Sequence, residues 1–215
     1  MPPSLRRWVR TCRFAGSVLI LASIAAQIDQ SVFEQGRPVS NFLSFFTIQS
    51  NLIAAVVLAW LALRPADGLP SLGRDQIRSS AVLYMTVTAV VYAVLLSGLQ
   101  EQLQVTIPWV DNVLHVVVPA LLVADWLFDP PSPRLTLRSA LVALVFPLLW
   151  LVYTLIRGVL VQWYPYPFLD PAQAGGYTTV GIYSLVITVG ATGLLWVIVA
   201  AGARDQRTPS GRWRR

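Results

Sequence analysis

The chain has 215 residues, 55% of them hydrophobic and 12% charged, with a mean hydropathy of +0.61. A soluble domain is about one quarter charged, so this composition excludes an ordinary water-soluble fold. The formal net charge of +6 comes from arginine alone, because the chain contains no lysine. The arginines stand at the ends of apolar blocks and in the tails, where topology signals belong, so the basic balance points to membrane topology rather than nucleic-acid binding. A chain rich in Ala, Val, Leu and Arg without lysine also suggests a GC-rich bacterial genome. One cysteine, Cys12, can form neither an internal disulfide nor a cysteine-based metal site.

The apolar blocks are about 20 residues long, enough to cross the roughly 30 Å hydrocarbon layer. They predict an all-α polytopic membrane protein with six transmembrane helices. A basic arm, 1–13, precedes a six-helix domain, 14–202, and a basic tail, 203–215, follows. The first block, Phe14 to Ile28, has the basic start and small residues of a signal peptide. Apolar character resumes at Val32-Phe33, which favours a retained helix. The second block runs from about Asn41 to Leu63. Pro65, Gly68, Pro70 and Gly73 mark the loop Arg64–Ser79. A third helix is expected from about Ser80 to Ser97, and a polar loop, Gln100 to Gln104, follows. Pro108 suits the first turn of the fourth helix, which should end at Phe128 before Asp129-Pro130-Pro131. The fifth should run from about Leu137 to Leu160 and the sixth from about Thr179 to Gly202.

Fourteen arginines fall on one side of this layout, and only Arg37 and Arg157 fall on the other. The positive-inside rule then puts both termini in the cytoplasm, as expected for a multi-pass protein of a bacterial inner membrane. The segment Gln162 to Pro171, rich in aromatic residues and proline, lies outside. It suits either a flat interfacial anchor or a lid over a cavity.

Polar groups inside a span are costly and by default face a partner or a cavity. His115 is the only histidine, and it lies inside the fourth block. Asp111, four residues earlier, shares its face and can orient the imidazole; Asn112 is alongside. In the second block Ser40, Ser44, Thr47 and Asn51 form one polar stripe at helical spacing, with Gln49 and Ser50 nearby. Thr47 lies seven residues past Ser40, and His115 seven past Pro108. At 1.5 Å per residue both are about 10 Å deep in the outer half of the membrane. A threonine hydroxyl becomes a nucleophile when a base removes its proton, and a neutral imidazole can do this. Asn51, Gln49 and Asn112 are candidate donors to an oxyanion. Arg157, with Trp150, Tyr153 and Thr154 on one face of the fifth block, can hold a substrate carboxylate or snorkel to the interface. Tyr84, Thr88 and Tyr92 make a stripe on the third block. No Walker loop, HExxH, GxSxG or CxxCH motif occurs, and one histidine makes a thin metal site, so no cofactor or metal is expected.

Phe45-Phe46-Thr47-Ile48-Gln49-Ser50-Asn51, Trp109 with Asp111-Asn112-Val113-Leu114-His115 and Pro119, and Tyr166-Pro167-Phe168-Leu169-Asp170 together resemble the androgen-induced / androgen-dependent-TFPI-regulating membrane proteins and their short bacterial relatives. The resemblance covers essentially the whole six-helix span. It implies a multi-pass threonine hydrolase that cleaves fatty acid esters of hydroxy fatty acids, with the nucleophile at Thr47 and the histidine at His115. The substrate would be a lipid entering from the bilayer. A non-catalytic lipid-binding or transport protein, or a bundle whose polar residues only pack helices, are the competing readings. Oligomeric state is not set by the sequence.

Overall fold

A computed structural model describes residues 3–64, 71–99, 107–131 and 135–204. The expectations placed on Pro65, Gly68 and Pro70, on the loop from Gln100 to Gln104 and on the tail beyond 204 lie outside the described residues. All the regular elements described are helical. Six are long and apolar enough to cross a membrane: α1 Ser4–Glu34, α2 Phe46–Leu63, α3 Leu72–Leu96, α4 Pro108–Phe128, α5 Leu137–Val161 and α6 Tyr177–Ala203. This is the fold class expected from composition. Helix α2 is the centre of the bundle: 61% of its apolar window is buried, against 17% for α5 and 22% for α6. The last two helices therefore turn most of their surface outward, and their apolar side chains suit hydrocarbon.

Three boundaries differ from the sequence reading. The basic arm is not separate from the first helix. Residues from Ser4 onward are already α1, which ends in a π turn at Asp29–Glu34. Helix α3 starts eight residues earlier than expected, because Ser71 caps it by accepting from the Arg74 backbone N–H at 3.2 Å. Arg74 and Arg78, read as loop arginines, thus stand on its first turns.

The third difference is a break. A continuous helix from Asn41 to Leu63 does not form; a single turn, Val39–Phe42, is followed by an interruption, and α2 begins at Phe46 behind an extended Phe45. Interrupted backbone at membrane depth persists only where its polar groups are satisfied. Gln49 donates to the Leu43 carbonyl at 2.8 Å, and Trp150 of α5 donates its indole N–H to the Ser44 carbonyl at 3.0 Å.

The arginine-rich end of the bundle is tied by a buried ion cluster. Arg13 of α1 contacts Asp125 at 2.6 Å and Asp129 at 2.6 Å. From α3, Arg74 contacts Asp129 at 2.9 Å and Arg78 contacts Asp125 at 3.1 Å. The Arg78 guanidinium also lies over the Trp126 ring, 5.4 Å from its centroid. Asp125 therefore joins three helices. At the other end, the segment after α5 folds back over the bundle. Tyr164 lies so close to Gly158 that any Cβ there would overlap its ring. Tyr166 and Leu169 are buried. This segment is a plug, not a flat surface anchor.

Removing one partner from a buried ion pair leaves the other charge uncompensated, at a cost of about 3–5 kcal/mol. Asp125→Ala is expected to lose stability of that order, read as a lower unfolding midpoint in detergent. Asp129 responds to pH. Burial by itself would push its carboxyl up, but Arg78, Arg13 and Arg74 outweigh burial and hold it below its ordinary value. Its contribution to stability is present above the unfolded value of about 3.9 and is lost as pH falls through the lower folded value. Asp129→Asn is expected to flatten the acid limb of a midpoint-versus-pH curve.

Candidate active site

The break in α2 sets the site. Because the helix begins at Phe46, Thr47 is its second residue and lies in the turn whose backbone N–H groups have no partner within the helix. That turn also carries the positive end of the helix dipole. The Thr47 N–H donates to the Tyr166 hydroxyl at 3.2 Å, and the same hydroxyl lies 3.3 Å from Thr47 Oγ1. Burial pushes the Tyr166 phenol above its ordinary value, opposed by hydrogen bonds from Thr47 and the Phe46 amide. At neutral pH it is a protonated donor.

His115 comes from α4, within the π turn Val113–Val117. Pro119 follows one turn later. Its ring crowds the carbonyl four residues back, at His115, and it lacks an N–H, which accounts locally for the wider turn. Single π turns of this kind recur at functional sites. His115 Nδ1 lies 3.0 Å from the Asp111 carbonyl oxygen and 2.8 Å from Asp111 Oδ1. A carbonyl only accepts, so Nδ1 carries a proton, and in the neutral ring the lone pair is on Nε2. Nε2 is 3.2 Å from Thr47 Oγ1. The Asp111 carboxylate accepts in turn from the Tyr92 hydroxyl. The Tyr92 ring also stacks on the imidazole, with centroids 4.0 Å apart and planes at 15°. Thr47, His115 and Asp111 are all buried. The arrangement puts a hydroxyl, an imidazole and a carboxylate in one line, a geometry in which a hydroxyl can be activated.

The other candidates fall elsewhere. Asn51 is fully buried, and its amide donates to the Thr47 carbonyl at 2.9 Å and the Leu114 carbonyl at 3.3 Å. It clamps α2 to α4 behind the dyad instead of donating to a reacting oxygen. Gln49 caps the break. Asn112 is exposed and lines no cavity at the dyad. Arg157 donates to Asn41 Oδ1 at 2.6 Å and to Ser40 at 3.3 Å, and lies over Trp163. It holds the first turn against α5 and does not reach the dyad cavities. Tyr153 is 45% exposed, with its hydroxyl 3.0 Å from Ser44 Oγ. Tyr92 positions Asp111 rather than contacting substrate space. The residue that sequence reasoning left off the candidate list is Tyr166. Its segment carries the family resemblance, and a phenol within the expected lid, Gln162 to Pro171, is the local signal for it.

Two cavities meet at Thr47. The larger, about 80 Å³, is almost wholly apolar and lies between α2, α3, α5, α6 and the plug; Val91, Leu148, Phe168, Ile187 and Ala191 line it with Thr47 and Tyr166. The smaller, about 30 Å³, has Gln27, Ser31 and His115 on its wall with Thr47 and Tyr166. Thr47, Tyr166 and Leu96 border both. A wider apolar groove of about 510 Å³ runs between α5 and α6 and shares Ser184 with the larger cavity. Comparison with protein-family models, curated proteins and solved structures finds no match to this chain.

With one histidine in the chain, histidine-labelled protein reports on this site alone. Its nitrogen NMR spectrum at neutral pH is expected to show Nδ1 protonated and Nε2 bare. A spectrum with the proton on Nε2 would leave no base facing Thr47.

Proposed function

We propose that the protein is an intramembrane lipid-ester hydrolase in which Thr47 is the nucleophile and His115 the general base, and that it is a bacterial relative of the androgen-induced / androgen-dependent-TFPI-regulating proteins. The observation that carries this reading is the 3.2 Å approach of the bare Nε2 of His115 to Thr47 Oγ1. The three segments that carry the family resemblance come together at this one point: Thr47, His115 and Tyr166. The resemblance suggests fatty acid esters of hydroxy fatty acids as substrates. The positive-inside rule orients the site toward the outer face of a bacterial inner membrane, with both termini cytoplasmic.

The reaction follows from the groups present. His115 Nε2 takes the Thr47 hydroxyl proton as Oγ1 adds to the ester carbonyl carbon. Negative charge then develops on the carbonyl oxygen, beside the Tyr166 hydroxyl and the positive end of the α2 dipole. The carbon–alkoxy bond breaks, and the alkoxide takes the proton from His115 to leave as an alcohol. A water then gives a proton to Nε2, its oxygen adds to the acyl-threonine, and Thr47 Oγ1 departs with that proton. The free carboxylic acid remains as the second product. Asp111 and Tyr92 keep the ring in one tautomer and stabilise the imidazolium that forms between steps. The groove between α5 and α6 supplies an apolar lateral path for an acyl chain from the bilayer to Thr47.

Purified protein in detergent, given a long-chain ester and a fluorophosphonate probe, tests this reading. Thr47→Ala and His115→Ala are each expected to lower kcat by about 10³-fold or more, with loss of labelling at residue 47. Full turnover in both variants would overturn it, and bound lipid without any turnover would favour a carrier. Tyr166→Phe keeps the ring packing and removes the donor. It is expected to lower kcat about 10²-fold with little change in KM, the usual loss for one oxyanion donor.

A further inference from the structure

Helix α6 meets the bundle with one face. Val180, Ser184, Ile187, Thr188, Ala191 and Leu195 follow helical spacing along it. Val180, Ala191 and Leu195 are buried, but Ser184, Ile187 and Thr188 between them are only half-buried. Over this stretch the helix faces the cavity of about 80 Å³ beside Thr47. Its two hydroxyls are used within the helix. Ser184 donates to the Val180 carbonyl and Thr188 to the Ser184 carbonyl, each at 2.8 Å. The wall therefore suits a hydrocarbon chain, which has no hydrogen bond to offer in return.

The cavity closes toward the arginine-rich end of the bundle. Its last lining residues in that direction are Val87 of α3, Leu144 of α5 and Ala191 of α6. One turn further on, Leu83, Ala140 and Leu195 are fully buried. From Ser184 to Ala191 the depth is about 10 Å at 1.5 Å per residue. On the other side of Ser184 the groove between α5 and α6 runs outward to Tyr164 and Tyr177, and at about 510 Å³ it is much roomier.

The order of the reaction assigns these two spaces. The acyl group stays bonded to Thr47 after the alcohol has gone, and Thr47 borders the closed cavity and not the groove. The alcohol must depart before water adds, so it needs the open space. We infer that Val87, Leu144 and Ala191 form an end wall that sets the length of acyl chain accepted, while the groove leaves the length of the alcohol part unrestricted. The inference rests on the hydrolase reading and adds a specificity rule to it.

The test gives full-length protein in detergent two series of esters. In one, the acyl chain grows from acetyl to stearoyl on a fixed long-chain alcohol. In the other, the alcohol grows from octyl to octadecyl on a fixed acyl chain. Expected is a maximum of kcat/KM in the acyl series and a change of less than about 3-fold across the alcohol series. Ala191→Phe fills the end of the cavity, and overfilling is costly. It should move the maximum to a shorter chain and lower kcat/KM for the parent's best ester about 10-fold. Val87→Ala deepens the cavity and should move the maximum to a longer chain. The acetyl ester, whose acyl group ends short of the wall, reports whether each variant is folded and active. A flat acyl series in the parent, or an unmoved maximum in a variant that still cleaves the acetyl ester, overturns the end wall while leaving the dyad intact. A sharp maximum in the alcohol series overturns the assignment of the groove. Turnover of no ester by the parent, or undiminished turnover by Thr47→Ala, overturns the hydrolase reading and this inference with it.

Discussion

The site depends on an interruption of the helix backbone that the bilayer would otherwise forbid. Hydrocarbon supplies no hydrogen bonds, so a span must satisfy its own backbone or borrow partners. At Leu43 to Phe45 the partners are borrowed: Gln49 closes one carbonyl and Trp150 of α5 the other. The consequence is local and chemical. Thr47 moves from mid-helix, where its N–H would bond back along the chain, to the first turn, where that N–H points at Tyr166. The break thus gives one residue both a nucleophilic oxygen and adjacent positive backbone dipoles. Arg157 serves the same end by holding the detached turn Val39–Phe42 through Asn41.

Stability and chemistry are separated along the bundle. At the arginine-rich end, three guanidinium groups and two carboxylates join α1, α3 and α4. Charge there is paired with charge, the arrangement that permits burial. At the dyad, among the described residues, Asp111 brings the negative charge, held by Tyr92 and set against the imidazole. Helices α3 and α4 reach from the ion cluster to the other end, where they carry Tyr92, Asp111 and His115, while Thr47 comes from α2. The ion cluster therefore helps to fix the register of α4, on which the position of His115 depends.

The six spans were legible because length and hydropathy alone define them. Thr47 and His115 were legible because each is a polar group with no business in an apolar block, and Asp111 followed from helical spacing. The same periodicity grouped Asn51, Gln49 and Asn112 with them, and the structure places these three away from the Thr47–His115 contact. A stripe on a helical wheel assumes an unbroken helix, and it does not say whether a side chain meets a cavity or a neighbouring carbonyl. Asn51 met carbonyls, and Gln49 capped the break that the wheel did not contain. Tyr166 and the Arg13–Asp125 pair were hidden for another reason. They join residues 119 and 112 positions apart, and no local pattern encodes such a contact. The arginines carried a topology signal strong enough to mask their role as ion-pair partners.

Thr47 also borders two cavities, and its β-branched side chain bears on how tightly its hydroxyl is held. A β-branched side chain has few χ1 wells and little freedom to leave them. Between His115 Nε2 at 3.2 Å and the Tyr166 hydroxyl at 3.3 Å, Oγ1 needs a single position. The threonine methyl adds apolar surface at a site bordering the larger cavity. A serine would offer the same oxygen with a third rotamer open to it and a gap where the methyl had been. The stiffer side chain keeps the hydroxyl on the line between His115 and Tyr166. Under the hydrolase proposal, preorganisation of this kind would lower the barrier without requiring tighter substrate binding.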